Sequence, residues 1–118
     1  MHSSPEAERA IREEFDALVN LEPSELEAWL KRPESHRVGT TRRGESESVG
    51  RQVAKAILAI RSKSVADLSE ADYAQMKRVI GFHRRHLANR PHGDISGSRW
   101  RWSLMNWGHD PLRGRKSG

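Results

Sequence analysis

Apolar residues recur at three- and four-residue steps along most of this chain, the period of amphipathic helices. A first helix is predicted over residues 5–20. Ser4 is placed to cap it, Pro5 suits its first position, and Ile11, Phe15, Leu18 and Val19 share one face. A short second helix fits Glu25 to Lys31, with Ser24 and Glu27 at capping-box spacing. Leu26, Trp29 and Leu30 form its apolar side, and Pro33 is its expected stop. A third helix spans about Glu47 to Arg61 on a stripe of Val49, Val53, Ile57 and Ile60. The fourth and longest starts at Ser69 with Asp72 and reaches about Ala88, before Pro91. Tyr73, Met76, Ile80, His83 and Leu87 make its buried stripe, widened by Val79. Helices three and four are expected to pair antiparallel across a short connection.

Periodicity alone leaves the tryptophan-rich segment Arg99–Trp107 open between two conformations. As a strand, Trp100 and Trp102 fall on one side; as a helix, Trp100, Leu104 and Trp107 align and Gly108 ends the element. A lone strand has no partner in an otherwise helical chain, so the helix is preferred. The expected fold is all-α: a small bundle of four main helices closed by a Trp-rich C-terminal helical segment. One domain covers residues 1–112, with the first helix a candidate for loose attachment and residues 32–46 a flexible loop. Residues 113–118 read as a disordered basic tail.

Leu, Ile, Val and Phe supply only 22 of 118 residues, so the tryptophans are needed to complete a core of adequate area. With no cysteine, disulfides and thiolate metal sites are excluded. Without an apolar leader or a bilayer-length run, the expectation is a soluble cytoplasmic protein that does not enter membranes. Charge is distributed unevenly. Residues 1–35 hold four Lys/Arg against nine Asp/Glu, and residues 36–118 hold 17 against seven. That polarity suits an anionic partner; equally, the acidic N-terminal part can pair with the basic remainder within or between chains.

The basic residues form patterns. Lys77, Arg78, Arg84 and Arg85 line the outer face of the fourth predicted helix, with Gly81 emptying its centre. Glycine there costs about 1 kcal/mol against alanine. Close approach of a phosphate backbone and close packing of a helix or tryptophan both explain it. Arg99 and Arg101 flank the first tryptophans, a pairing suited to phosphates and bases, and the 32–46 loop adds Arg37, Arg42 and Arg43. The tryptophans themselves either stay exposed as a stacking platform or close the core. His83 and His86 have loose metal-ligand spacing, but His83 shares the apolar stripe and reads as a hydrogen-bonded core residue. His109-Asp110 with Asn106 lacks a neighbouring nucleophile and is also ordinary turn chemistry. No catalytic residue, cofactor or metal is assigned.

Several segments together resemble a known family. These are Glu25-Leu-Glu-Ala-Trp-Leu-Lys, Asp67-Leu-Ser-Glu-Ala-Asp-Tyr-Ala-Gln-Met-Lys-Arg-Val-Ile-Gly, His86-Leu-Ala-Asn-Arg-Pro with Gly93-Asp94, and Arg99-Trp-Arg-Trp-Ser-Leu-Met-Asn-Trp-Gly-His-Asp-Pro. Over residues 21–112 they are similar to domain of unknown function family 3140, short bacterial and fungal proteins. The resemblance implies no activity or catalytic residues; a generic DNA-binding label sometimes given to members agrees with the charge pattern. Phe82-His-Arg-Arg-His86 departs from the His-Arg-His run expected there.

The expected function is therefore non-catalytic nucleic-acid binding, DNA ahead of RNA, through the phosphate backbone and with low sequence specificity. Lys77, Arg78, Arg84 and Arg85 carry it, with Arg99, Arg101, Arg42 and Arg43. The alternative is a protein-interaction or stress-response accessory module, including self-association through the acidic first helix. Convergence of the basic residues on one face separates the two.

Overall fold

The computed structural model describes residues 4–113, and every regular element among them is helical. Helix α1 spans Pro5–Leu18, with Ser4 Oγ accepting from the Ala7 amide at 3.1 Å. It ends before Asn20 because the next residues bond elsewhere. The Asn20 side chain exchanges two hydrogen bonds with the Asp110 backbone, at 2.8 and 3.0 Å, and the Leu21 amide donates to Gly108 O at 3.1 Å.

Helix α2 covers Pro23–Leu30 and begins earlier than the Ser24 cap predicts. Pro23, with its preset φ, takes the first position, and the Glu22 amide donates to the Glu25 carboxylate at 2.8 Å. Pro33 does stop α2, but it also opens a single-turn helix, α3 (Pro33–His36), so the 32–46 segment is partly ordered. Helix α4, Val49–Arg61, is capped by Ser48. After a 3₁₀ turn at Val65–Asp67 comes α5, Glu70–Leu87, whose Ser69–Asp72 capping box matches expectation. Helix α6, Arg99–Asn106, resolves the tryptophan segment as helical, with Ser98 as its cap.

Phe15, Leu26, Ile57, Met76 and Leu104 are fully buried and come from five different helices. One pairing differs from expectation: α5 lies mainly along α1, and its packing on α4 is lesser. The 14-residue α1 offers an apolar stripe long enough to match the 18 residues of α5, and Arg12 Nη1 donates to the Tyr73 hydroxyl across the pair at 2.8 Å. Phe15 and Val19, 1% and 2% exposed, seat α1 in the core.

Gly108 has φ +83°, and a Cβ there would lie 2.9 Å from Val19 Cγ1. Gly108→Ala is therefore expected to lose about 2–4 kcal/mol, from left-handed strain plus overpacking. Urea unfolding followed by tryptophan fluorescence measures this; a loss within about 0.5 kcal/mol contradicts the packing account.

Candidate nucleic-acid interface

A four-residue ridge, Arg78, Phe82 and His86 at one side of α5 and Arg90 just past its end, interleaves with two tryptophans from the C-terminal segment. Trp107 stacks on Phe82 with centroids 4.0 Å apart and planes 6° from parallel; Phe82 stacks on His86 at 4.8 Å. His86 in turn stacks on Trp100 at 5.8 Å. The Arg78 guanidinium lies 5.5 Å from the Trp107 ring centre and Arg90 lies 5.6 Å from that of Trp100, so a cation caps each end of the column. Trp107 meets the earlier part of the ridge and Trp100 the later part, so α6 runs antiparallel to α5. The ridge spacing stands in the sequence, but its aromatic partners lie far along the chain.

The tryptophans mostly close the core, as the low aliphatic content suggested. Trp107 is buried, while Trp100 and Trp102 are partly buried. Trp100 Nε1 donates to His86 O at 2.9 Å. A cleft of about 340 Å³ runs beside the column, lined by Gly39, Thr40, Gly50, Phe82, Ser103 and Trp107 among others. It brings the arginine-bearing loop, α5 and α6 to one place.

Lys77, Arg78, Arg84 and Arg85 are all exposed on α5. Above Gly81 the nearest heavy atom is Arg85 Nη1, 3.2 Å from where a Cβ would sit. Neither a helix nor a tryptophan packs there, contrary to the packing explanation. Arg84 pairs with Glu14 of α1, and Arg42 lies 3.6 Å from Glu45. Arg43 is exposed, and Arg99 donates to the Arg37 carbonyl while remaining exposed.

Arg101 is held differently from the solvent-facing role anticipated for it. Its Nε and Nη2 bond both Asp110 oxygens, at 3.0 and 2.9 Å, and Nη1 bonds Ser96 O at 2.8 Å. The fork is filled, and it clasps α6 to the turn that follows it. Burial raises the Asp110 pKa, but hydrogen bonds from Arg101 and the Leu112 amide outweigh it and hold the carboxyl below its usual range.

Asn106 and the histidines also serve the interior. Asn106 Oδ1 accepts from Trp29 Nε1 at 2.7 Å and from Ser35 Oγ at 2.6 Å, and its Nδ2 donates to Ser35 O at 3.1 Å. Arg51, placed off the apolar stripe of its helix, reaches the same cluster through Ser35 Oγ at 2.7 Å. His83, fully buried as the stripe implied, donates from Nε2 to Trp107 O at 2.7 Å. His109 bonds Leu18 O through Nδ1, and the Asp94 carboxylate accepts from the Ser96 amide.

A larger groove of about 480 Å³ separates α2 from α6 over Trp29, Trp102 and Met105. Its rim arginines are each matched by a carboxylate: Arg32 with Glu34, Arg101 with Asp110, and Arg113 with Glu25. It has no excess of positive charge to attract an anion. The cleft beside α5 has no carboxylate among its lining residues.

The model of one protein family, described as "Protein of unknown function (DUF3140)", matches residues 14–105. The chain belongs to this family. The match ends before Trp107, so in this DUF3140 member the Gly108–Asp110 clasp and one ring of the aromatic column, Trp107, lie beyond it. No curated protein and no solved structure matches the chain. Among the described residues, no helix is long and apolar enough to cross a membrane. Of the basic tail anticipated over 113–118, only Arg113 lies among the described residues.

Proposed function

We propose that this protein is a non-catalytic nucleic-acid-binding module, DNA ahead of RNA, that works in the cytoplasm and contacts mainly the phosphate backbone. The observation that supports this most directly is the surface over Gly81 on α5, where only the Arg85 side chain lies close, among exposed Lys77, Arg78 and Arg84. A polyanion lying there approaches the helix backbone closely while cations reach it from both sides. Arg42 and Arg43, close in sequence to Thr40, and Arg99, one turn before Ser103, are further cations near residues that line the cleft. Arg101 takes a positioning role, because Asp110 already occupies its guanidinium.

Part of the charge asymmetry is resolved within the chain, through Glu14–Arg84, Asp16–Arg61 and Glu25–Arg113. Glu14 therefore competes with phosphate for Arg84, whereas Lys77 and Arg85 have no carboxylate partner among the described residues. The test is an anisotropy titration of labelled DNA across a salt series. Lys77→Ala with Arg85→Ala is expected to flatten the log K against log salt slope by about two, one for each phosphate no longer neutralised. Glu14→Gln is expected to tighten binding by releasing Arg84. An unchanged slope in the double variant removes α5 from the interface. A chain that binds no nucleic acid at low salt points instead to a protein partner.

A further inference from the structure

We propose that the cleft beside the aromatic column receives one unpaired base of single-stranded nucleic acid while the flanking cations hold its phosphates. The inference rests on the nucleic-acid reading above and adds to it a strand preference and a base-binding site.

The cleft walls are mostly apolar, but they include an unused donor. Trp107 is 8% exposed, and its Nε1 faces Gly50 in the cleft wall, 3.1 Å from the position of a glycine Cβ. The other buried indole, Trp29, uses its N–H on Asn106, and the partly buried Trp100 uses its own on His86 O. Trp107 Nε1 has no hydrogen-bond acceptor among the described residues. His86 also lines the cleft, with its ring stacked between Phe82 and Trp100 and its Nε2 enclosed. Trp107 Nε1 keeps some solvent access, so an acceptor entering the cleft can replace water on it.

Shape and charge narrow the occupant. Gly50 leaves room at the cleft wall, where a Cβ would press on Trp107 and Asn106. Trp107 and His86 occupy opposite faces of Phe82, so Phe82 offers the cleft its edge. A flat π-system meeting ring edges face-on makes a favourable perpendicular contact. Arginines stand on three of the four segments that line the cleft: Arg78 on the Trp107 ring and Arg85 one turn beyond Phe82 on α5, Arg99 one turn before Ser103 on α6, and Arg42 and Arg43 just past Thr40 in the loop. Arg42 is partly offset by Glu45, which also accepts from Gln52. A planar group rich in acceptors and joined to phosphates fits these three features together. Every nucleobase carries acceptors, so one N–H gives little base preference.

A base inside a duplex cannot enter, because its faces are stacked and its edge paired. The test compares three equal-length probes by anisotropy at one salt concentration: an oligothymidylate, an abasic deoxyribose-phosphate chain and a hairpin duplex. Oligothymidylate is expected to bind about tenfold tighter than the abasic chain, the scale of one base contact. Ser103→Phe fills the cleft from its rim and is expected to lower thymidylate affinity to the abasic level. It should leave abasic and duplex binding as in the parent, and Ser103→Ala should keep the full preference. If circular dichroism shows that Ser103→Phe does not fold, Thr40→Trp fills the cleft from the opposite lip. Equal binding of thymidylate and abasic chains, or a filled cleft without effect, overturns the base site and leaves backbone binding standing. Failure of all three probes to bind overturns both readings.

Discussion

Replacing Asn106 by leucine is expected to cost the fold about 3–5 kcal/mol, the sum of two or three buried polar groups left without partners. Leucine has the same branched shape, but its methyls cannot sit at the 2.6 and 2.7 Å contacts of Asn106 Oδ1, so some overpacking adds to the lost hydrogen bonds. Trp29 Nε1 and Ser35 Oγ both donate to Asn106 Oδ1, and Ser35 O accepts from its Nδ2. Asn106 is 1% exposed, so water cannot replace it. Arg51, bonded to Ser35 Oγ and to Leu30 O, loses part of its support in turn. Because this cluster joins α2, α3, α4 and α6, the loss should appear as a cooperative shift of the whole transition. Urea unfolding monitored by tryptophan fluorescence and far-UV circular dichroism provides the measurement. A destabilisation below about 1 kcal/mol contradicts a structural role for the cluster.

Acidification is expected to remove about 3 kcal/mol of stability between pH 6.5 and pH 4, chiefly through His83. Burial pushes the His83 pKa down from 6.5 to about 4, outweighing the raising effect of its bond to Trp107 O; His109 and His86 lower it further. The bond to Trp107 O fixes the proton on Nε2, and Nδ1 lies buried with no acceptor for a second. The folded state therefore resists a proton that the unfolded chain accepts. Stability is fully present above the unfolded value near 6.5 and is lost as pH falls toward 4. His86 and His109, both lowered mainly by burial, act in the same direction. The carboxylates held low in the fold, Glu47, Asp72 and Asp110, start from values of 4.5 and below, so their losses begin at lower pH. Unfolding free energies at about pH 7.5, 6.5, 5.5 and 4.5, spanning the histidine range, are compared for the parent and His83→Gln, which retains a donor for Trp107 O. The variant should be less stable at neutral pH but flatter across the acid range; an unaltered slope excludes His83.

Local signals were legible wherever the structure depends on neighbouring residues. The Ser4 and Ser69 caps, the α5 stripe including His83, and the Gly108 stop all occur as the sequence implies. Helix starts differ where proline acts as more than a terminator: Pro23 and Pro33 each open a helix. The role of Arg101 was hidden because its partner Asp110 lies nine residues away, past the end of α6. The interleaving of Trp107 and Trp100 with the ridge was equally hidden, since it joins residues 10 to 29 positions apart.

By itself, then, the sequence determined an all-helical chain, where most of its helices lie, and a cationic outer face on the longest one. Those properties follow from helical periodicity, capping and charge, all of which act within a few residues. Tertiary structure alone decided that α1 is the main neighbour of α5, that Asn106 and Arg101 are taken up by internal hydrogen bonds, and that a cleft lined by Phe82, His86 and Trp107 opens beside α5. These depend on which side chains meet across long stretches of chain, and burial and hydrogen-bond satisfaction select those meetings only once the whole core has closed.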